Sequence, residues 1–219
     1  MPYPTAPWNL KGFAYQTLHL IQCDRLKPFL PPEFEIISVV PNHTLGGVYL
    51  ASYGSGSVME YNELIVAAGL VRRAGEWGTW ISHIYVDNLD SVAGGRQIWG
   101  LPKEMAEFSW EKGKTGRVVV RQGDRLLCTL NYDWQFPLIR QPFTGSVFST
   151  LGQEILFFTA TAKANWAIAG ARLGIPPESP FSDLSLGQPW MTISAESLDL
   201  VVNDPKVVGQ TTASIAFEI

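Results

Sequence analysis

A lysine follows a proline at Pro102-Lys103, with Trp99 and Leu101 immediately upstream. An exposed lysine amine is protonated near neutral pH, since its unperturbed pKa is about 10.4, and in that state it has no lone pair to offer. Packing the amine against Trp99 and Leu101, away from water, disfavours the ammonium and releases a nucleophile able to attack a carbonyl carbon. A Pro-Lys pair alone is equally compatible with a surface lysine on a turn. The next residue, Glu104, works against activation if it lies close, because a neighbouring carboxylate favours the ammonium. In an extended segment adjacent side chains point to opposite faces, which would separate Glu104 from the amine and leave burial to act alone.

Four short motifs occur in order around this lysine. They are Tyr61-Asn62-Glu63-Leu64, His83-Ile84-Tyr85-Val86-Asp87-Asn88, Gly95-Arg96-Gln97 and Pro102-Lys103. Together they resemble the acetoacetate decarboxylase family over residues 61–104, with a weaker similarity through residues 30–36 and no specific match beyond about residue 135. The resemblance implies a Schiff base between Lys103 and a ketone or keto acid, whose protonated imine lets a β-carboxylate leave as carbon dioxide or a carbon–carbon bond form. It also places Glu63 in the active site, where a carboxyl within hydrogen-bond reach could transfer protons or orient the imine. A solvated carboxylate at a strand end is the alternative for Glu63. Arg96, Tyr61 and Trp99 are expected around the substrate. Arg96 could hold a substrate carboxylate through two hydrogen bonds, or tie its loop to Asp87 or Asp90.

The departures from the family pattern bear on the substrate. Glu104 stands where the decarboxylase has a second lysine, and Gln97 stands where the family has glutamate. The family's N-terminal arginine for the substrate has no secure counterpart near Lys11 and Gly12. Acetoacetate is therefore a poor expectation, and other imine chemistry on a larger keto compound a better one. A non-catalytic barrel that houses an apolar small molecule is the rival reading, favoured by the eight tryptophans and by Glu104.

These residues need rigid elements to hold them. Short runs of apolar alternation with turn signals every about 8–12 residues predict a mainly β protein, an antiparallel barrel-like body with a few short helices. Strands are expected over residues 13–23, 34–40, 47–53, 63–73 and 79–86, with residues 2–10 as an irregular arm. Asp24 is expected to cap a short helix reaching residue 30, and Asp87 or Asn88 to cap another over residues 89–98 that delivers Pro102-Lys103 to a new strand. A meander follows over 105–110, 116–121 and 126–132, then strands over 136–140, 146–151 and 154–162. Residues 165–173 suit a helix or a strand. Residues 175–189 carry four prolines and read as a long loop, either a lid on the pocket or plain surface. Strands over 193–202 and 212–218 close the chain. The family resemblance implies a cavity facing the lysine, and commonly an oligomer of like chains.

Composition narrows the class. The 219 residues suit a single domain with one good core, and a net charge of −4 without a basic run argues against a nucleic-acid surface. No apolar run approaches the ~20 residues of a membrane helix, no secretory leader is visible, and a cytoplasmic location is expected. Cys23 and Cys128 sit in apolar runs and read as packed thiols. His19, His43 and His83 lack metal-ligand spacing, with His83 read first as a hydrogen-bonded strand residue. Imine chemistry on a protein lysine needs no cofactor, and no nucleotide-binding motif is present. The expected partner is a small keto acid or an apolar ligand.

Overall fold

Long stretches of alternating apolar and polar residues become strands, and the computed structural model, which describes residues 3–113, 115–138 and 141–212, joins them in one thirteen-stranded sheet. In chain order the elements are β1 (Trp8–Gln22), α1 (Cys23–Leu26), β2 (Glu35–Ile36), β3 (His43–Tyr53), β4 (Tyr61–Arg73), β5 (Glu76–Val86), α2 (Leu89–Trp99) and β6 (Lys103–Met105). They continue with β7 (Glu107–Glu111), β8 (Gly116–Gln122), β9 (Arg125–Pro137), β10 (Phe143–Leu151), β11 (Glu154–Gly174), β12 (Met191–Val202) and β13 (Lys206–Gln210).

The path β10-β5-β4-β3-β1-β12-β11 closes on itself, because β10 also pairs with the first half of β11. Seven strands thus form a ring. The second half of β11 pairs instead with β9, so β9, β8 and β7 leave the ring as a meander. Register shifts at Lys163/Asn165 and Ala169/Ala171 mark β-bulges that bend β11 as it passes from one layer to the other. Pairing is mostly antiparallel, with β5 running parallel to β10 and to β6. The β5–β6 pair is parallel because the α2 connection turns the chain back just far enough for Lys103 to enter beside Ile84, near the end of β5.

Apolar residues cover both faces of the ring. Its inner face contributes Leu10, Ala51, Ile84, Phe158 and Leu198 to one apolar cluster. Its outer face contributes Val48, Leu64 and Val66 to a second, where they pack with Val118, Leu127 and Leu130 of the meander. β4 shows how a two-residue period serves both, with Tyr61 inward and Leu64 and Val66 outward.

Several expectations need correction. Residues 8–10 belong to β1 rather than to an arm, and Trp8 is buried. Gln22, not Asp24, occupies the N-cap of α1, while the Asp24 carboxylate accepts from Lys27 instead. Of the expected strand 34–40 only Glu35–Ile36 forms a strand, with Val40 adding an isolated bridge to His43, and of the two readings of residues 165–173 the strand holds, as a continuation of β11. Residues 136–137 end β9 rather than beginning a strand, β13 was not foreseen, and residues 213–218 lie outside the described part. The proline-rich segment 175–189 is no lid over the lysine. Phe181 and Leu184 are fully buried in the outer cluster, and no residue of the segment lines the inner cavity.

Cys23 and Cys128 are free and buried, and burial pushes the Cys128 thiol up to about 12. His83 lies between Phe29 and Phe181, with Nδ1 2.9 Å from the Ser82 hydroxyl. Burial lowers its pKa to about 4, although the nearby Glu104 carboxylate offsets part of the effect. Between there and the ordinary value of about 6.5 the unfolded chain holds the extra proton, so acidification through this window destabilises the fold. We expect His83→Gln to narrow the gap in unfolding free energy between pH 7 and pH 4.5 by about 1–2 kcal/mol, as measured by urea titrations.

Candidate active site

Helix α2 and strands β4 and β6 bring the site together. Asn88 caps α2 by accepting from the backbone N–H groups of Asp90 (2.9 Å) and Ser91 (3.2 Å). The helix ends at Gly100, whose φ of 59° is the left-handed conformation that glycine tolerates best. Three residues later Lys103 opens β6 beside Ile84 of β5. Its side chain enters the ring and is only 3% exposed.

The amine has two polar partners and two aromatic neighbours. Nζ lies 2.8 Å from Oε1 of Glu63 and donates to Oγ of Ser91 at 3.0 Å. The rings of Tyr61 and Trp8 stand 5.0 and 5.4 Å from it, centroid to nitrogen, within cation–π range. The other carboxylate oxygen of Glu63 accepts from the Tyr53 hydroxyl at 3.1 Å, and Tyr49 and Tyr53 join their hydroxyls at 3.0 Å. Burial raises the pKa values of Tyr49, Tyr53 and Tyr61, so these phenols remain neutral. Their hydroxyls can therefore supply protons or hydrogen bonds without adding negative charge.

Glu104 takes the opposite face, where its carboxylate accepts from Gln122 Nε2 at 2.8 Å. The alternation of an extended segment separates it from the amine. The acid that meets Lys103 is Glu63.

The structure places the remaining expected residues as follows. Tyr61 and Trp99 line the cavity, and the Trp99 indole donates to the Asn203 carbonyl at 2.8 Å. Arg96 is not among the lining residues; its Nε donates to the backbone carbonyl of Lys103 at 2.8 Å and steadies that lysine from behind. Asp87 is engaged by Asn62, through backbone N (2.7 Å) and Nδ2 (2.6 Å), rather than by Arg96. Gln97 accepts from the Tyr3 hydroxyl.

Ser91, Tyr49, Tyr53 and Trp8 were not anticipated. Two had a legible signal, since Tyr49 and Tyr53 share a strand face with an even spacing. Ser91 lies one helical step of four before Gly95, and only the packing of α2 brings it to the amine. That face of α2 must be small. A Cβ at Gly95 would come within 2.4 Å of Lys103 Cδ and 2.7 Å of Cε. The lysine stem cannot yield without pulling its amine from Glu63 and Ser91. Gly95→Ala is accordingly expected to slow any reaction of Lys103 by at least about tenfold, consistent with the sensitivity of catalysis to ångström displacements; timed trapping of an amine adduct measures it.

The cavity into which Lys103 opens measures about 680 Å³. Lys103 and Glu63 are the charged residues of its described lining, and most of the rest is aliphatic or aromatic. Among the described residues no group of three metal-binding side chains occurs, and no helix is long and apolar enough to cross a membrane.

Comparison with known proteins bears on the fold and the family of the chain. A similarity to the plant protein NEOXANTHIN-DEFICIENT 1 of Solanum lycopersicum reaches 35% identity over 107 residues, 49% of this chain and 36% of that protein. Acetoacetate decarboxylase 3 of Mesorhizobium japonicum is 30% identical over 81 residues, 37% of this chain and 27% of that protein. The chain thus matches only about a third of the length of these relatives. In fold it is similar to acetoacetate decarboxylase from Legionella pneumophila, with a TM-score of 0.80 at 20% identity over 97% of this chain and 91% of that one. The enduracididine biosynthesis enzyme MppR, solved with pyruvate, gives a TM-score of 0.72 at 13% identity over 94% and 91%. The family model for acetoacetate decarboxylase (ADC) matches residues 1–148, well over half of the sequence, and the chain belongs to that family.

Proposed function

We propose that the protein is a lyase-type enzyme in which Lys103 forms a Schiff base with a keto compound and Glu63 handles the protons. The observation that carries this is the buried contact between Lys103 Nζ and Glu63 Oε1 at 2.8 Å, at the end of an apolar cavity. Glu63 accepts a proton from the lysine ammonium, and the freed nitrogen lone pair attacks the carbonyl carbon. The carbinolamine loses its hydroxyl as water, with the proton returned by Glu63, and leaves a cationic imine beside a carboxylate. Where the substrate carries a β-carboxylate, the electrons of that carbon–carbon bond move into the imine and carbon dioxide departs. Protonation of the resulting enamine and hydrolysis by water then regenerate the lysine. A substrate without that carboxylate can use the same enamine in an aldol-type reaction or a dehydration.

The test is reduction with borohydride in the presence of a panel of keto acids and ketones, read by intact mass and peptide mapping. A mass gain on the peptide that contains Lys103 is expected. A second reading, an apolar-ligand carrier without catalysis, draws support from the closed ion pair and the predominantly apolar wall. It is the outcome if ligands bind but no adduct forms on Lys103 with any carbonyl compound.

A further inference from the structure

The cavity is graded from one end to the other. Around the amine its walls are buried, through Trp8, Tyr53, Trp99 and Leu101. It continues past half-buried Leu18, Leu45 and Ile81. It ends at Leu138, Gln141, Pro142 and Phe143, all exposed, which mark its mouth. Along β5 the lining runs from Ile84, the partner of Lys103, to Thr79. The five steps between these six strand residues cover roughly 16 Å, the reach of an extended chain of about a dozen carbons. Between the tyrosines and the mouth, the wall facing this path is mainly hydrocarbon, including Ile65, Ala67, Val147, Ala160 and Ile193. A three- or four-carbon keto acid would leave nearly all of that surface without a partner.

We infer that the substrate is a carbonyl compound with a long hydrocarbon tail, its carbonyl at Lys103 and its tail laid along the cavity towards Leu138 and Phe143. The carbonyl end rests on the imine reading above; the tail rests on the cavity wall alone. Ala160 and Ala67 stand on that path, and larger side chains there would shorten it.

The experiment uses a series of methyl ketones from butanone to methyl undecyl ketone, each at one low concentration with borohydride. Ketone and lysine amine combine to an imine with loss of water, and hydride then reduces the imine carbon to leave a stable secondary amine. Each methylene that leaves water for the wall is worth roughly a fourfold gain in affinity, so adduct yield per unit of ketone should rise by at least about a hundredfold along the series. Ala160→Leu, with Ala67→Leu as an independent repeat, should move the optimum to shorter chains. Binding without chemistry is followed in Lys103→Met by tryptophan fluorescence. Equal trapping of short and long ketones would overturn the tail while leaving the imine chemistry intact. Tight binding of the long ketones by Lys103→Met, with no adduct on the unaltered protein, would support the tail and overturn the imine chemistry. An optimum that does not move in either leucine variant would overturn the proposed path.

Discussion

Lys103→Met is expected to abolish the borohydride-trapped adduct entirely and, in the same protein, to lower stability by about 3–5 kcal/mol. The first effect follows because no other lysine lines the described cavity. The second follows from what remains. The Glu63 side chain is only 6% exposed, and without the ammonium its carboxylate keeps the Tyr53 hydroxyl but has no countercharge. An unpaired buried charge is costly, and the molecule must protonate it, admit water, or lose stability. Adding Glu63→Gln to Lys103→Met should restore most of the loss, because a neutral amide can still accept from Tyr53. Urea titrations of the two single variants and the double variant measure the coupling, while intact mass follows the adduct. A double variant no more stable than Lys103→Met would show that the ion pair contributes little to the fold.

Glu63→Gln alone should leave the amine in place and remove its proton acceptor. The rate of imine formation is then expected to fall by about 10²–10⁴-fold, the usual contribution of a positioned acid–base group. The pH profile supplies the sign. In the variant the ammonium must lose its proton to solvent, so the trapping rate should climb steadily as pH rises. The unaltered protein, with its own acceptor at 2.8 Å, should respond less steeply over the same range. Quenched-flow trapping between pH 6 and pH 9 compares them. Parallel profiles would mean that Glu63 orients the lysine without accepting its proton.

Much of this site can be read from residue order. Lys103 and Glu63 are forty positions apart in sequence, yet the family resemblance carried by the ordered motifs implies that they share one site. The two-residue period of an extended segment also foretells the separation of Lys103 from Glu104. Arg96 shows where such reading ends. Its motif position suggests a side chain aimed at substrate or at an acid, but the helix register set by Asn88 turns it onto the Lys103 carbonyl. Ser91 joins the amine only because α2 packs small residues against the lysine stem, a tertiary contact without a local signature.

The second half of β11 stands open between helix and strand in the sequence for a related reason. Residues 165–173 contain three alanines and a leucine, good helix formers, and pairing with β9 and β12 overrides that preference. In the segment 175–189 the prolines drew attention from Phe181, Leu184 and Leu186. Those three fix it to the outer cluster.

The sharing of β11 between the ring and the meander has a mechanical consequence. Its first half borders the lumen and its second half braces the outer sheet, so the ring cannot dilate there without shearing the packing outside it. A slender guest can extend along the lumen at little cost, whereas a bulky one would have to deform two hydrophobic layers together. Girth, more than reach, is the dimension that this architecture polices.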